Sequence, residues 1–157
     1  MSQFNTPSLD SDANHYRFSS NEAFRAESTW TFVTLTTGAT GAHTVFTVTG
    51  NCLVQMGAIC DTSLGGAATL EMGVAGNTAA LLTQIADATT FDDGQVWGVD
   101  GSPAVGVEAL GTQKLLNDGA DIIMTIGSTA ITSGALDIYC LWRPLSSDAN
   151  LTVTTPA

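Results

Sequence analysis

The sequence predicts an all-β fold, an antiparallel β-sandwich of about eight strands, because short hydrophobic runs recur roughly every 8 to 12 residues between glycine-containing turns. The composition agrees, since it is rich in Thr, Ser, Ala and Gly, and β-branched residues such as Thr favour strands. The length of 157 residues fits one domain. A jelly roll is one topology that this pattern suits.

Eight runs carry the strand pattern. They are residues 29–37, 43–50, 52–60, 68–74, 95–99, a run within 105–119 that leads into the turn Asn117–Asp118–Gly119, 121–127 and 135–142. At most one short helix is expected, at residues 77–91. There, an apolar stripe at i, i+4 spacing is formed by Ala80, Leu81, Gln84 and Ile85.

Composition divides the chain into three parts. Residues 1–27 are predicted to be an extended N-terminal arm, residues 28–145 the β-sandwich, and residues 146–157 a polar C-terminal tail. The arm is polar but contains more aromatic residues than a disordered tail would. It is therefore expected to become ordered on a partner surface, although an arm that wraps its own domain fits the same pattern. The predicted contact residues are Phe4, Tyr16, Arg17, Phe18, Phe24 and Arg25.

The last predicted strand has apolar residues on both faces. With a period of two, one face carries Leu136, Ile138, Cys140 and Trp142, and the other carries Asp137, Tyr139, Leu141 and Arg143. The first face is expected in the core, and Pro144 is expected to end the strand. The second face either meets another copy of the protein or is covered by other parts of the same chain.

The charge balance excludes several classes of partner. The chain has 15 acidic and 4 basic side chains, a formal net charge of −11, so phosphate backbones and anionic membranes repel it. No run approaches the roughly 18 apolar residues of a transmembrane helix. The N-terminus lacks the pattern of a secretory signal, so we expect synthesis and use without export by that route. Only 12% of the residues are charged, which fits either a neutral surface or one buried against other chains.

No catalytic pattern is found in the sequence. Nucleophile elbows and phosphate-binding glycine loops are absent, so no enzymatic activity and no cofactor are predicted. Cys52, Cys60 and Cys140 lack metal-ligand spacing and are expected to be buried free thiols. The acidic residues Asp87, Asp92, Asp93 and Asp100 are interpreted as a solvated loop, since they lack a calcium-binding spacing.

Two stretches resemble a known group of proteins. Residues 118–150, "DGADIIMTIGSTAITSGALDIYCLWRPLSSDAN", resemble the C-terminal half of small virion proteins of tailed bacteriophages, including the ending W-x-P-L-S-x-D. Residues 63–82, "SLGGAATLEMGVAGNTAALL", resemble the middle of those proteins. The resemblance implies a capsid decoration (cement) protein that is made in the host cytoplasm. It would bind the major capsid protein on the outer surface of the phage head, as a homo-oligomer and most often a trimer. Tyr139, Leu141 and Arg143 are then the expected contacts between subunits.

Two other functions remain open at this stage. One is a tail or head-fibre component, which shares the virion setting. The other is a carbohydrate-binding or hydrolytic module, since β-sandwiches often host sugar sites, which usually need an exposed aromatic platform. Trp97 is the candidate for that platform, because it lies in a loop-rich region around a brief strand, whereas Trp30 and Trp142 lie within longer predicted strands.

Overall fold

The computed structural model describes residues 23–117 and 119–156, which contain eleven β-strands and one short 3-10 turn, Ala88–Thr90. The strands are β1 (Phe24–Thr31), β2 (Gly41–Thr49), β3 (Cys52–Gly65), β4 (Thr69–Val74), β5 (Asn77–Ile85), β6 (Gln95–Trp97), β7 (Ala104–Val105), β8 (Lys114–Leu116), β9 (Ile122–Gly127), β10 (Ser133–Pro144) and β11 (Asn150–Val153).

The strands form two antiparallel sheets. Sheet A has the order β1-β10-β3-β6-β7, with β8 also paired to β3, and sheet B has the order β11-β2-β9-β4-β5. The pairing is nested, because β1 lies beside β10, β2 beside β9, β3 beside β6 and β8, and β4 beside β5. A long hairpin rolled up in this way is a jelly roll. The predicted all-β sandwich is thus confirmed.

The core lies between the two sheets and is filled by alternate residues of most strands, interrupted by bulges in β2 and β5. Leu136, Ile138 and Cys140 of β10 are completely buried, as their place on one face predicted, and Trp142 is half-buried at the rim. Sheet B contributes residues such as Phe46 and Met124, also completely buried. The strand ends at Pro144, as expected.

The predicted helix at 77–91 is wrong, because residues 77–85 form β5 and only the 3-10 turn follows. The register explains the helix-like stripe. Between the rungs Leu70↔Ile85 and Met72↔Leu82, β4 advances two residues while β5 advances three. The extra residue is a β-bulge, which shifts the buried positions of β5 away from a period of two.

The predicted boundaries of the domain also differ from the structure. The boundary between residues 27 and 28 falls inside β1, which begins at Phe24. The predicted polar tail contains β11, which pairs with β2 from Asn150↔Thr49 to Val153↔Phe46. The ordered sandwich is therefore longer at both ends than composition indicated.

The predicted strand at 29–37 ends early, at Thr31, because a side chain bonds the backbone of the following loop. The Thr37 hydroxyl donates to the Thr31 carbonyl (2.6 Å) and accepts from the Val33 amide (2.9 Å). Local bonds of this kind compete with a strand ladder. Among the described residues, no helix has the length and apolar character needed to cross a membrane.

Candidate assembly surface

The side chains of sheet A that point away from sheet B form a distinctive surface, here called the outer face of sheet A. Its direction follows from strand alternation, since the intervening residues of β3 and β10 are buried in the core. Its members are Arg25, Glu27 and Thr29 on β1, Leu53, Gln55, Gly57 and Ile59 on β3, and Asp137, Tyr139, Leu141 and Arg143 on β10.

Apolar side chains occupy the β3 side of this face. Leu53 pairs with Leu115 of β8, which is 64% exposed, and Ile59 pairs with Val96 of β6. Gly57 is covered by a neighbouring loop, because a Cβ placed there would lie 2.6 Å from Cδ2 of Leu110. The lack of a side chain at that position lets the leucine approach the sheet.

The middle and the opposite side of the face are polar and charged. The Arg25 guanidinium lies 3.2 Å from the Glu27 carboxylate and 6.0 Å from the ring centroid of Tyr139. The Thr29 hydroxyl donates to Oδ1 of Asp137 at 2.7 Å. Burial raises the pKa of Tyr139. The Glu27 and Asp137 carboxylates raise this pKa further, and the Arg25 guanidinium lowers it. The tyrosine is therefore neutral at physiological pH and can pack against an apolar partner.

Arg143 ends the row on β10 and lacks a partner at one nitrogen. Its Nε is buried and makes no hydrogen bond, and the one ion pair of the described chain joins Arg25 to Glu27. A cleft of about 160 Å³ lies beside it, lined by side chains that include Leu53, Leu141 and Trp142. A buried donor without an acceptor costs about 1–3 kcal/mol, so this placement of the Arg143 side chain lowers stability.

The predicted subunit-contact residues lie together in the structure. Tyr139, Leu141 and Arg143 share the outer face of sheet A, all three half-buried. Phe24 and Arg25 of the predicted arm belong to β1, where the Phe24 ring lies 5.1 Å from that of Trp142. The other predicted arm contacts, Phe4, Tyr16, Arg17 and Phe18, lie outside the described residues. The predicted contacts of the arm with a capsid thus stay a prediction.

The three cysteines are buried free thiols, as expected. Burial raises the pKa of Cys140 to about 12 and that of Cys60 to about 11, and it also raises the pKa of Cys52. Reactive cysteines have a lowered pKa instead. The thiols are thus part of the core packing.

The acidic residues at 87–100 act as local turn formers. Asp87 Oδ1 accepts from the Thr89 amide (2.9 Å) and hydroxyl (2.6 Å), and these bonds lower the pKa of Asp87. Asp100 accepts from the Ser102 amide at 3.0 Å. Among residues 23–117 and 119–156, no three His, Cys, Asp or Glu side chains converge in a way that could hold a metal ion.

Trp97 does not provide the exposed platform that a sugar site would need. Its side chain is completely buried, its Nε1 donates to the Thr83 carbonyl at 2.8 Å, and its ring packs edge-on against Phe91. This location removes the one aromatic residue on which the carbohydrate-binding alternative rested.

Comparison with family models, with curated proteins and with solved structures gives no match.

Sequence reasoning missed the contribution of β3 and its neighbours to the outer face. Leu53 and Ile59 were part of a run that is apolar on both faces, which also describes any central strand. The positions of Leu110 and Leu115 depend on how the 98–116 loop folds back along β3. No local sequence pattern predicts that this segment folds back along β3.

Proposed function

We propose that this chain is a structural protein of a tailed-phage virion, a decoration protein that binds the outside of the head and associates with copies of itself. The observation that carries the proposal is the outer face of sheet A, where apolar side chains along β3 border the polar and charged side chains of β10 and β1. Apolar contacts beside charged and hydrogen-bonding groups are what a protein–protein interface combines. The sequence resemblance to virion proteins supplies the setting.

The net charge supports a position outside the shell. With 15 acidic and 4 basic side chains, the protein is repelled by packaged DNA. Its acidic surface would stay solvated, while the outer face of sheet A meets protein. The partners are thus the major capsid protein and further copies of this chain.

The alternative within the virion is a tail or head-fibre part, and copy number separates the two. Quantitative mass spectrometry of purified particles should find this chain at a copy number comparable with that of the shell protein. A handful of copies per particle, found in the tail fraction, would instead favour the alternative. Absence from purified particles would contradict both assignments.

A binding experiment tests the role directly. Heads lacking the protein should take up purified chain until saturation and then resist heating or chaotropic treatment better than bare heads. As a control, an unrelated acidic protein of the same size and net charge should not bind. Heads that neither bind the chain nor gain resistance would refute the decoration role.

A further inference from the structure

We propose that two copies of this chain pair through the outer faces of their sheets A, related by a two-fold axis that crosses the strands at the level of Cys140. The inference rests on the proposed function only in using the same surface for self-association. It replaces the three-fold assembly implied by the resemblance with a two-fold one.

The outward residues of β10 are complementary to their own reverse order. In order, these residues are Asp137, Tyr139, Leu141 and Arg143, which lie symmetrically about Cys140. A copy running in the opposite direction presents the same residues in reverse order. Asp137 then faces Arg143 of the other copy, and Tyr139 faces Leu141. The row is therefore complementary to its own reverse, as a two-fold interface requires.

The flanking strand β1 obeys the same symmetry. Ala26 pairs with Cys140, so the axis crosses β1 there, with Arg25 and Glu27 one residue to either side. Reversal places Arg25 of one copy opposite Glu27 of the other. The two already form an exposed ion pair within one chain, and the pairing across the axis adds a second acceptor for each arginine.

The other flanking strand, β3, completes the pattern with apolar residues. Met56 pairs with Cys140, and the outward residues Leu53 and Ile59 lie three positions to either side of it. Reversal places Leu53 of one copy opposite Ile59 of the other.

Gln55 of one copy then faces Gly57 of the other, which the Leu110 side chain covers. The face thus complements its own reverse about one line, through charge on β1, through charge and packing on β10, and through Leu53 and Ile59 on β3.

The rotation between two packed, twisted sheets still allows Asp137 of one copy to contact Arg143 of the other. Arg143 lies three residues from the axis, roughly 10 Å along the strand. The strand directions of two aligned sheets differ by about 30°. Two residues that face each other at roughly 10 Å from the axis are then displaced from each other by roughly 5 Å. The long side chain of arginine can span that displacement.

Two independent features of β10 show why Asp137 and Arg143 suit this contact. Arg143 has a buried Nε with no acceptor, beside the open cleft. Asp137 accepts a hydrogen bond from Thr29 at Oδ1, and a carboxylate has about four acceptor sites. Among the described residues Arg143 forms no ion pair, and the aspartate of a second copy would supply one at the accessible part of its half-buried side chain.

Charge-reversal variants test the pairing, with mass measured by sedimentation equilibrium at micromolar concentrations. Arg143→Glu and Asp137→Arg should each raise the dimer dissociation constant at least tenfold, because like charges then face each other. The double variant should restore dimers. An equal mixture of the two single variants should form one-to-one heterodimers, since both contacts across the axis are then attractive.

The mixture distinguishes two-fold from three-fold assembly, because two kinds of chain cannot alternate around a ring of three subunits. Glu71→Arg, an acid-to-arginine change on sheet B, is the matched control and should leave the mass of the wild-type dimer unchanged. Since Asp137→Arg also removes the bond from Thr29, the neutral Asp137→Asn provides a second variant if the first fails to fold. It should weaken dimers severalfold, and Arg143→Gln should do the same.

Several results would overturn the two-fold contact. They are a monomeric or trimeric wild-type chain, single variants that dimerise as well as the wild type, and a mixture that stays monomeric. Binding to heads is measured separately, so a chain that decorates heads as a monomer would refute this inference and leave the proposed function standing.

Discussion

Thr37 shows how one side chain fixes the path of a loop between the two sheets. It is 8% exposed, and its hydroxyl links the Thr31 carbonyl to the Val33 amide. Its own carbonyl accepts from Nε1 of Trp30 at 3.0 Å. The threonine therefore connects the end of β1, the loop that follows and a core tryptophan. A valine of the same shape would keep the bond from Trp30, which goes to the backbone, but would lose both bonds of the hydroxyl.

Replacing Thr37 with valine should lower the free energy of unfolding by about 1–2 kcal/mol, because a partly buried amide and a partly buried carbonyl lose their partner. Urea denaturation followed by tryptophan fluorescence measures this. Thr36→Val is the control, since Thr36 is exposed and its substitution should change stability by less than about 0.5 kcal/mol. Equal effects of the two substitutions would show that the hydroxyl bonds do not matter.

At the scale of elements, β1 is the edge strand that protects β10. It pairs with β10 along its whole length, from Phe24↔Trp142 to Thr31↔Ala135. The Phe24 ring also covers the half-buried Trp142. The first residues of β1 therefore belong to the sandwich, although their composition resembles that of the segment before them.

Two truncations separate the sandwich from the preceding segment. Removal of residues 1–22 leaves β1 complete, whereas removal of residues 1–27 deletes its first half. The longer deletion should lower the free energy of unfolding by about 2 kcal/mol relative to the shorter one, through lost aromatic packing and ladder bonds. Thermal denaturation of both proteins provides the measurement. Identical melting temperatures would mean that residues 24–27 add nothing to the fold.

The elements also show what sequence could and could not predict. Period-two patterns located most strands, because strands such as β9 and β10 alternate buried and less buried residues and each pairs with one neighbour, β4 and β1 respectively, without a bulge. They failed where bulges intervene. In β2, a bulge between Thr44 and Phe46 buries Val45 and Phe46 together, and in β5 bulges produced a helix-like stripe. A bulge is set by the partner strand, so local sequence does not reveal it.

The candidate site was predictable only in part, for a related reason. Tyr139, Leu141 and Arg143 share a face by simple alternation on one strand. Their meeting with Leu53 and Leu115 depends on long-range pairing that no local pattern specifies.

For the whole molecule, the distribution of charge is uneven. The described cationic side chains are Arg25, Lys114 and Arg143, and all three lie on sheet A. Their ladder partners, Leu141, Val54 and Leu53, line one cleft. A chain that is acidic elsewhere thus has one positively charged end on one sheet, which favours association in a single orientation.

Light scattering measures the molar mass of three proteins over a range of concentrations. This measurement tests most directly whether the outer face of sheet A is an association surface. The wild-type chain should rise well above the 16.2 kDa of a monomer. Leu141→Lys should remain at the monomer mass, because it places a charge in the centre of the face. Thr152→Lys, on the exposed surface of sheet B, should behave like the wild type. A wild-type chain that stays at 16.2 kDa, or a Leu141→Lys variant that assembles as the wild type does, would contradict the account.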